Sequence, residues 1–140
     1  KVDSGGNVSF AGTSYRVAVG GWSGGQGPFT LSWSPLILGT AASDLLVGTA
    51  AVEEIRGLGG NDVLRGLGAA DVLVGGPGND RAFGGTGNDI LIDRHGLDML
   101  AGGSGADLLD AFDFVRGDIL DGGRGADICR GERRDLRRGC

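Results

Sequence analysis

Residues 75–83 and 84–92, GGPGNDRAF and GGTGNDILI, are two nine-residue units that stand back to back and share one pattern. Each unit opens with Gly-Gly, has Gly at position four and Asp at position six, and carries an apolar or small residue at position eight. The frame continues on both sides without gap or insertion, and its units open at Gly39, Gly48, Gly57, Gly66, Gly75, Gly84, Asp93 and Gly102. A fixed period of this kind is the signature of a repeat architecture.

Position six is acidic in every unit, and the residues are Asp44, Glu53, Asp62, Asp71, Asp80, Asp89, Asp98 and Asp107. Position eight is apolar or small, and the residues are Leu46, Ile55, Leu64, Leu73, Ala82, Leu91, Leu100 and Leu109. A further unit with two extra residues contributes Asp118 and Leu120, and GGRGADICR (122–130) contributes Asp127 and Cys129. Acids held in register over ten units indicate a shared role.

The period of nine predicts the geometry of the chain. Six residues rich in Gly, Asn and Asp are typical of a turn, because they tolerate positive φ angles. Three residues remain for a strand of about 10 Å. Two units then complete one flat coil, and units two apart stack in parallel at about 4.8 Å. Alternate side chains of a strand share a face, so positions six and eight both point inward. We therefore predict an all-β fold, a right-handed parallel β-roll over residues 39–130.

GGPGND, GGTGND, GGSGAD and GGRGAD resemble the G-G-x-G-x-D-x-U-x nonapeptide of the repeats-in-toxin (haemolysin-type calcium-binding) family. The resemblance implies several Ca²⁺ ions between stacked turns, held by the position-six carboxylates and by turn carbonyls. Ca²⁺ prefers six to eight oxygen ligands, which agrees with such a shell. The metal-site residues expected from the resemblance are Gly57, Asp62, Gly66, Asp71, Gly75, Gly76, Gly78, Asp80, Gly84, Gly85, Gly87, Asp89, Asp98, Gly102, Gly103, Gly105, Asp107 and Asp127.

A metal-independent solenoid is the alternative, because Asp and Asn in Gly-rich turns often only hydrogen-bond to their own backbone. Stacked carboxylates argue against it, since two bare charges about 5 Å apart repel by roughly 3 kcal/mol at an effective dielectric near 20. An adhesive or surface-interaction module is a third hypothesis.

Departures from the nonapeptide pattern indicate which of the predicted metal sites are weaker. Ala42, Ala51 and Glu53 weaken the first two turns, and the insertion after Asp110 weakens the site beside Asp118. His95 is predicted to face solvent.

Residues 1–34 do not follow the nonapeptide frame. Alternation at residues 15–19 and 29–33 predicts a β-hairpin, with a third short strand at residues 8–10. Residues 8–34 also resemble the end of a pre-peptidase C-terminal β-sandwich, and the chain opens at Lys1, so we expect a fragment of a longer secreted protein. Residues 35–38, with Pro35, are predicted to form a linker.

The C-terminal residues 131–140 are predicted to cap the roll. Cys129 and Cys140 flank a short Arg-rich segment, which suggests a disulfide in an exported chain. The net charge of −5 argues against nucleic acid as a partner, and no apolar run is long enough to span a membrane. A protein or glycan partner stays open. No nucleophile elbow, H-E-x-x-H or P-loop is present, so the isolated chain is predicted not to be an enzyme, although its parent could be a secreted hydrolase.

Overall fold

A computed structural model describes residues 7–10, 13–16, 35–114 and 117–140, which fall into two compact units divided after Ser32. In the first unit, β1 (Asn7–Phe10) pairs with β2 (Thr13–Arg16) in antiparallel orientation. The short strand expected at residues 8–10 is therefore present, and its partner begins at Thr13. The rest of the predicted hairpin, residues 17–19 and 29–33, lies outside the described residues.

The second unit is a parallel β-roll of two six-stranded sheets, so the predicted fold class is confirmed. Strands alternate between the sheets along the chain, and each strand pairs with the strand one full coil away. The first sheet contains β4 (Leu45–Val47), β6 (Val63–Gly68), β8 (Arg81–Thr86), β10 (Met99–Ser104), β12 (Ile119–Arg124) and β14 (Leu136–Arg138). The second contains β3 (Leu36–Leu38), β5 (Glu54–Arg56), β7 (Val72–Val74), β9 (Ile90–Ile92), β11 (Leu108–Asp110) and β13 (Ile128–Arg130).

The core is two stacked rows of position-eight side chains, one from each sheet. The register places Leu73 beside Leu91 and Leu91 beside Leu109 in the second sheet. The buried apolar residues are Ile55, Leu64, Leu73, Ala82, Leu91, Leu100, Leu109, Ala111 and Leu120, all at most 1% exposed. Ile37, Leu46 and Cys129 pack against this core at the ends of the rows. Each unit thus buries one dependable apolar side chain, as period-two alternation from position six requires.

The roll is longer than the predicted range of 39–130. Leu36–Leu38, expected to be a linker, is instead a strand paired with Glu54–Arg56, because Ile37 occupies the inward position in phase with Ile55. At the other end, Leu136–Arg138 extends the first sheet by pairing with β12.

Four strands of the first sheet are also longer than the three residues expected. β6, β8, β10 and β12 each have six residues and run on through the opening of the following turn. All six strands of the second sheet have three residues. There, the turn after β7 has Pro77 at position three, and Pro77 has no N–H with which to extend a ladder.

The two extra residues in the unit that opens at Ala111 leave the sheets undisturbed. Leu100 pairs with Leu120 and Leu109 pairs with Cys129, an offset of 20 residues instead of 18. The longer turn therefore absorbs the insertion completely. A disulfide joins Cys129 to Cys140, with a Cα–Cα distance of 5.7 Å, and ties the last inward position of the second sheet to the end of the chain.

Candidate metal sites between the stacked turns

The position-six acids form two hydrogen-bonded ladders, one along each edge of the roll. From Asp44 to Asp107, each backbone N–H at position six donates to Oδ1 of the position-six carboxylate one coil further on. Asp62 donates to Asp80 and Asp80 to Asp98 on one edge, and Asp71 donates to Asp89 on the other, at 2.6–2.9 Å. One oxygen of each carboxylate thus has a purely structural partner. This explains why an acid or amide acceptor is required at position six even before any ligand is considered.

The second carboxylate oxygen has no partner. In the described part of the chain, Oδ2 is buried and accepts no hydrogen bond in each of the following residues: Asp62, Asp71, Asp80, Asp89, Asp98, Asp107, Asp118 and Asp127. Most of these side chains are at most 3% exposed. A buried acceptor without a partner costs about 1–3 kcal/mol, and more when it is charged. Native proteins rarely leave so many, so the row of atoms indicates a missing positive partner.

Most of the unpartnered oxygens face a cradle made by a glycine at position one. A side chain at Gly84 would collide with Asp89 Oδ2 and would lie 2.6 Å from the carbonyl oxygen of Gly102 on the next turn. Gly57 and Gly66 stand in the same relation to Asp62 and Asp71, with the next carbonyl 2.7 Å from the added carbon. A carboxylate oxygen and a carbonyl oxygen therefore converge on a space that only glycine leaves open. Convergent hard oxygens are the ligands that Ca²⁺ prefers, so these residues fit the ion.

The glycines at positions two and four have a different role, because they allow the turns to stack closely. Gly85 and Gly103 adopt φ of 114° and 110°, and a side chain on either would collide with the carbonyl of the turn before it. At position four, Gly78, Gly87 and Gly105 also have positive φ and the same close approach. Leu67 occupies position two with φ 78°, a conformation that disfavours side chains other than glycine.

The comparison with known families accords with this geometry. The family model of the RTX calcium-binding nonapeptide repeat matches four segments, residues 38–73, 47–82, 74–109 and 117–133, which together cover well over half of the chain. The chain belongs to this family. No curated protein and no solved structure matches it. In the part of the chain that the structure describes, no helix meets the length and apolarity that a membrane crossing requires.

The first two RTX turns differ from the others because a threonine donates hydrogen bonds to the carboxylate at position six. Asp44 Oδ2 accepts hydrogen bonds from the backbone N–H and the hydroxyl of Thr40, at 2.6 and 2.8 Å. Glu53 accepts from the backbone N–H of Thr49 at 3.0 Å and from its hydroxyl. Among the described residues, neither acid has a buried oxygen that lacks a hydrogen-bond partner. In these two turns the acid therefore hydrogen-bonds within its own turn; that they bind metal weakly stays a prediction from the sequence.

Burial raises the pKa of several RTX carboxyls, and neighbouring acids add to the effect. Burial, and then the charges of Asp107 and Asp71, raise the pKa of Asp89 to about 6. Burial also raises the pKa of Asp98 and of Asp118 to about 6, with the charges of stacked acids contributing in both. Ionisation of these carboxyls is therefore unfavourable in the folded chain, and a bound cation would lower their pKa values again.

Asp93 adds a carboxylate that the repeat does not contain. It stands at position one, where the other turns of the regular frame have glycine. In the structure it is 1% exposed, and one of its carboxylate oxygens lies within 4.8 Å of one oxygen each from Asp80 and Asp98. Burial, followed by the charges of Asp98 and Asp80, raises the pKa of Asp93 to about 9.

A second group of three acids lies at the C-terminal end, where the sequence analysis expected a poor site. Asp113 from the insertion, Asp118 at position six and Glu132 from the cap bring carboxylate oxygens within 4.8 Å of one another. Glu132 Oε1 accepts from the backbone N–H groups of Asp113 and Phe114, at 3.0 and 2.7 Å. Glu132 Oε2 and Asp118 Oδ2 are both buried without a hydrogen-bond partner among the described residues.

The cap itself continues the repeat with a shortened turn, which the nine-residue pattern does not reveal. Gly131 lies in frame at position one, and Asp135 directly precedes β14, as each position-six acid precedes its strand. A side chain on Gly131 would lie 2.5 Å from Asp135 Oδ2. This turn has one residue fewer than the others. On the opposite edge, the carbonyl of Gly139 takes the place of a next-turn carbonyl beside Gly122 and Asp127.

His95 is exposed, as predicted.

Proposed function

We propose that residues 36–138 form a calcium-driven folding and stability module of a secreted protein. The observation that carries the proposal is the row of buried, unpartnered carboxylate oxygens along both edges of the roll. The sites on the 57–107 turns, together with Asp127, are the proposed positions for several ions. When bound, calcium would supply the positive charge that these oxygens lack, and it would do so only where the turns are stacked.

The composition of the core supports a dependence on the ion. Each unit buries a single apolar side chain at position eight, and at Ala82 that side chain is one methyl group. Glycine, at 31 of 140 residues, raises the entropy lost on folding. Stacked carboxylates with raised pKa values oppose folding further at neutral pH. Because a ligand that binds only the native state stabilises it by mass action, calcium at several stacked sites would couple binding to folding.

The same features support an extracellular role. Weak calcium modules work at the millimolar calcium concentrations found outside cells, and a disulfide such as Cys129–Cys140 persists in oxidising compartments. The proposed role is structural rather than catalytic. Any enzymatic activity, such as that of a secreted hydrolase, would belong to other parts of a parent protein.

Circular dichroism during a calcium titration tests the proposal. In excess chelator, we expect a spectrum dominated by disorder, which becomes β-rich in one cooperative transition as calcium rises toward millimolar. Magnesium at the same concentration is the control and should have little effect, because it gives up its water shell reluctantly and requires octahedral geometry. A β-rich spectrum already complete in chelator would refute calcium-driven folding and would favour the metal-independent solenoid.

A further inference from the structure

We infer that Asp80, Asp93 and Asp98 form a three-carboxylate cation site, the tightest in the roll and different in composition from the repeat sites. The inference rests on the proposed function, because it assumes that the gaps between turns accept calcium. The departure from the repeat at Asp93, rather than the repeat itself, carries the argument.

The position of Asp93 directs its side chain into the gap between two stacked turns. A side chain on Gly75, one coil earlier, would overlap Asp93 Oδ2 and lie 2.6 Å from Asp80 Oδ2. The carboxylate of Asp93 therefore reaches back over Gly75 into the space that the other position-one glycines leave open. It can do so only because Gly75 itself has no side chain.

The three acids are aimed into this space without partners for their second oxygens. Asp80, Asp93 and Asp98 are 1%, 1% and 3% exposed, and Oδ2 of each accepts no hydrogen bond within the described ranges. The backbone N–H of Asp80 donates to Asp98 Oδ1 at 2.9 Å, so the ladder fixes the relative position of the two turns. Three buried carboxylate oxygens held in a fixed frame favour a bound cation, since a positive ion would offset the cost of burying their charge.

The regular gaps do not concentrate charge in this way. Beside Gly84 the residue that corresponds to Asp93 is Gly102, which offers a neutral carbonyl. The two position-six acids Asp89 and Asp107 therefore have no third carboxylate beside them among the residues that the structure describes. Among described residues, three carboxylates meet within 4.8 Å only here and at the C-terminal group. The affinity of calcium sites rises with the number of charged ligands and with rigidity. The Asp93 site is also buried on all three members, whereas Asp113 and Glu132 of the C-terminal group are half-buried.

Calcium binding to the full chain, measured by competition with a chelator of known affinity, tests the inference. Wild type should show one tight binding step that precedes the remaining, weaker steps. Asp93→Gly restores the glycine of the repeat and should still fold at saturating calcium, but its first step should weaken on the order of tenfold or more. Asp93→Asn keeps the shape of the side chain and should weaken the same step.

Asp121→Asn is the charge-matched control. Asp121 lies at the outward position nine of β12, so this variant removes one carboxylate without touching a gap, and all steps should be unchanged. The inference is overturned if the first step of Asp93→Gly equals that of wild type. It is also overturned if that variant gains a tighter calcium ion, because Asp93 would then occupy the gap in place of an ion. Wild type that binds no calcium at all would instead refute the proposed function.

Discussion

Replacement of Asp89 by Asn separates the two roles of a position-six carboxylate. Asn can still accept the hydrogen bond that the backbone N–H of Asp71 donates at 2.8 Å, so the ladder survives. The second oxygen, which is buried and unpartnered, becomes an amide without charge. The substitution therefore removes the cation ligand and leaves the fold's own hydrogen bond in place.

The two consequences have opposite signs. A pKa of about 6 instead of 3.8 corresponds to about 3 kcal/mol of unfavourable charge at pH 7, which screening by nearby water reduces to about 1–2 kcal/mol. Loss of this charge stabilises the calcium-free form. Loss of one site at calcium concentrations 100 times its dissociation constant costs about 2.7 kcal/mol. At saturating calcium, Asp89→Asn should therefore be destabilised by about 1–2 kcal/mol, whereas in chelator it should contain at least as much β structure as wild type.

Urea unfolding at several calcium concentrations, followed by circular dichroism, measures both effects. The free energy of unfolding should depend less steeply on calcium in the variant, by about 1.4 kcal/mol for each tenfold change if one ion is lost. Glu53→Gln is the matched control, because Thr49 already occupies both oxygens of Glu53 and no free oxygen is lost. An unchanged slope for Asp89→Asn, or equal slopes and equal losses in the two variants, would refute the assignment of Asp89 as a ligand.

Three further predictions follow from the fold. Leu91→Ala should destabilise the calcium-loaded roll by about 2–5 kcal/mol, whereas Ile90→Ala, which truncates an outward side chain that is 37% exposed, should cost much less; thermal unfolding compares them, and equal losses would contradict the inward row. Protein isolated from an oxidising compartment should titrate no free thiol when denatured, and reduction of Cys129–Cys140 should cost about 3 kcal/mol in the chain-entropy model; two thiols in fresh protein would contradict the disulfide. Because folding raises the pKa of several buried carboxyls above their ordinary value of 3.8, the calcium-free roll is favoured below about pH 4 and loses that stability as pH rises through about 6. Circular dichroism in calcium-free buffer should therefore show more β structure at pH 5 than at pH 7, and the reverse trend would contradict the raised pKa values.

Much of the fold could be predicted because the nine-residue period encodes it directly. The inward positions, the stacking of units two apart and the parallel sheets all follow from the alternation of Asp and Leu at positions six and eight. Strand lengths did not follow, because the extension of β6 and its equivalents depends on hydrogen bonds between coils. Leu36–Leu38 was missed because the sequence before it lacks the glycine frame, although Ile37 is in phase with Ile55.

The candidate site was predictable where it repeats and hidden where it departs from the repeat. The motif's resemblance to the RTX repeat implies that Asp89 and its equivalents are the ligands. Only the structure shows that one oxygen of each accepts a hydrogen bond from the backbone and that the other accepts none. The role of Asp93 could not be predicted from the repeat, because its side chain reaches over Gly75, a residue 18 positions earlier in the chain. The repeat pattern does not identify Glu132 and Asp135, because the turn after Gly131 is one residue shorter than the nine-residue frame requires.

The place of the position-six acid is fixed relative to the strand that follows it, and not relative to the glycine that opens the turn. Asp89, Asp118 and Asp135 each directly precede a strand, although their turns contain six, eight and five residues. Pairing between coils continues in register across all three lengths. The number of residues in the turn before the acid can therefore change without shifting the strand that follows. A peptide grafted into the turn that opens at Ala111, which lacks the opening glycines of the repeat, would leave the strand register unchanged, whereas a graft into a turn that opens with glycine would also remove a proposed calcium site.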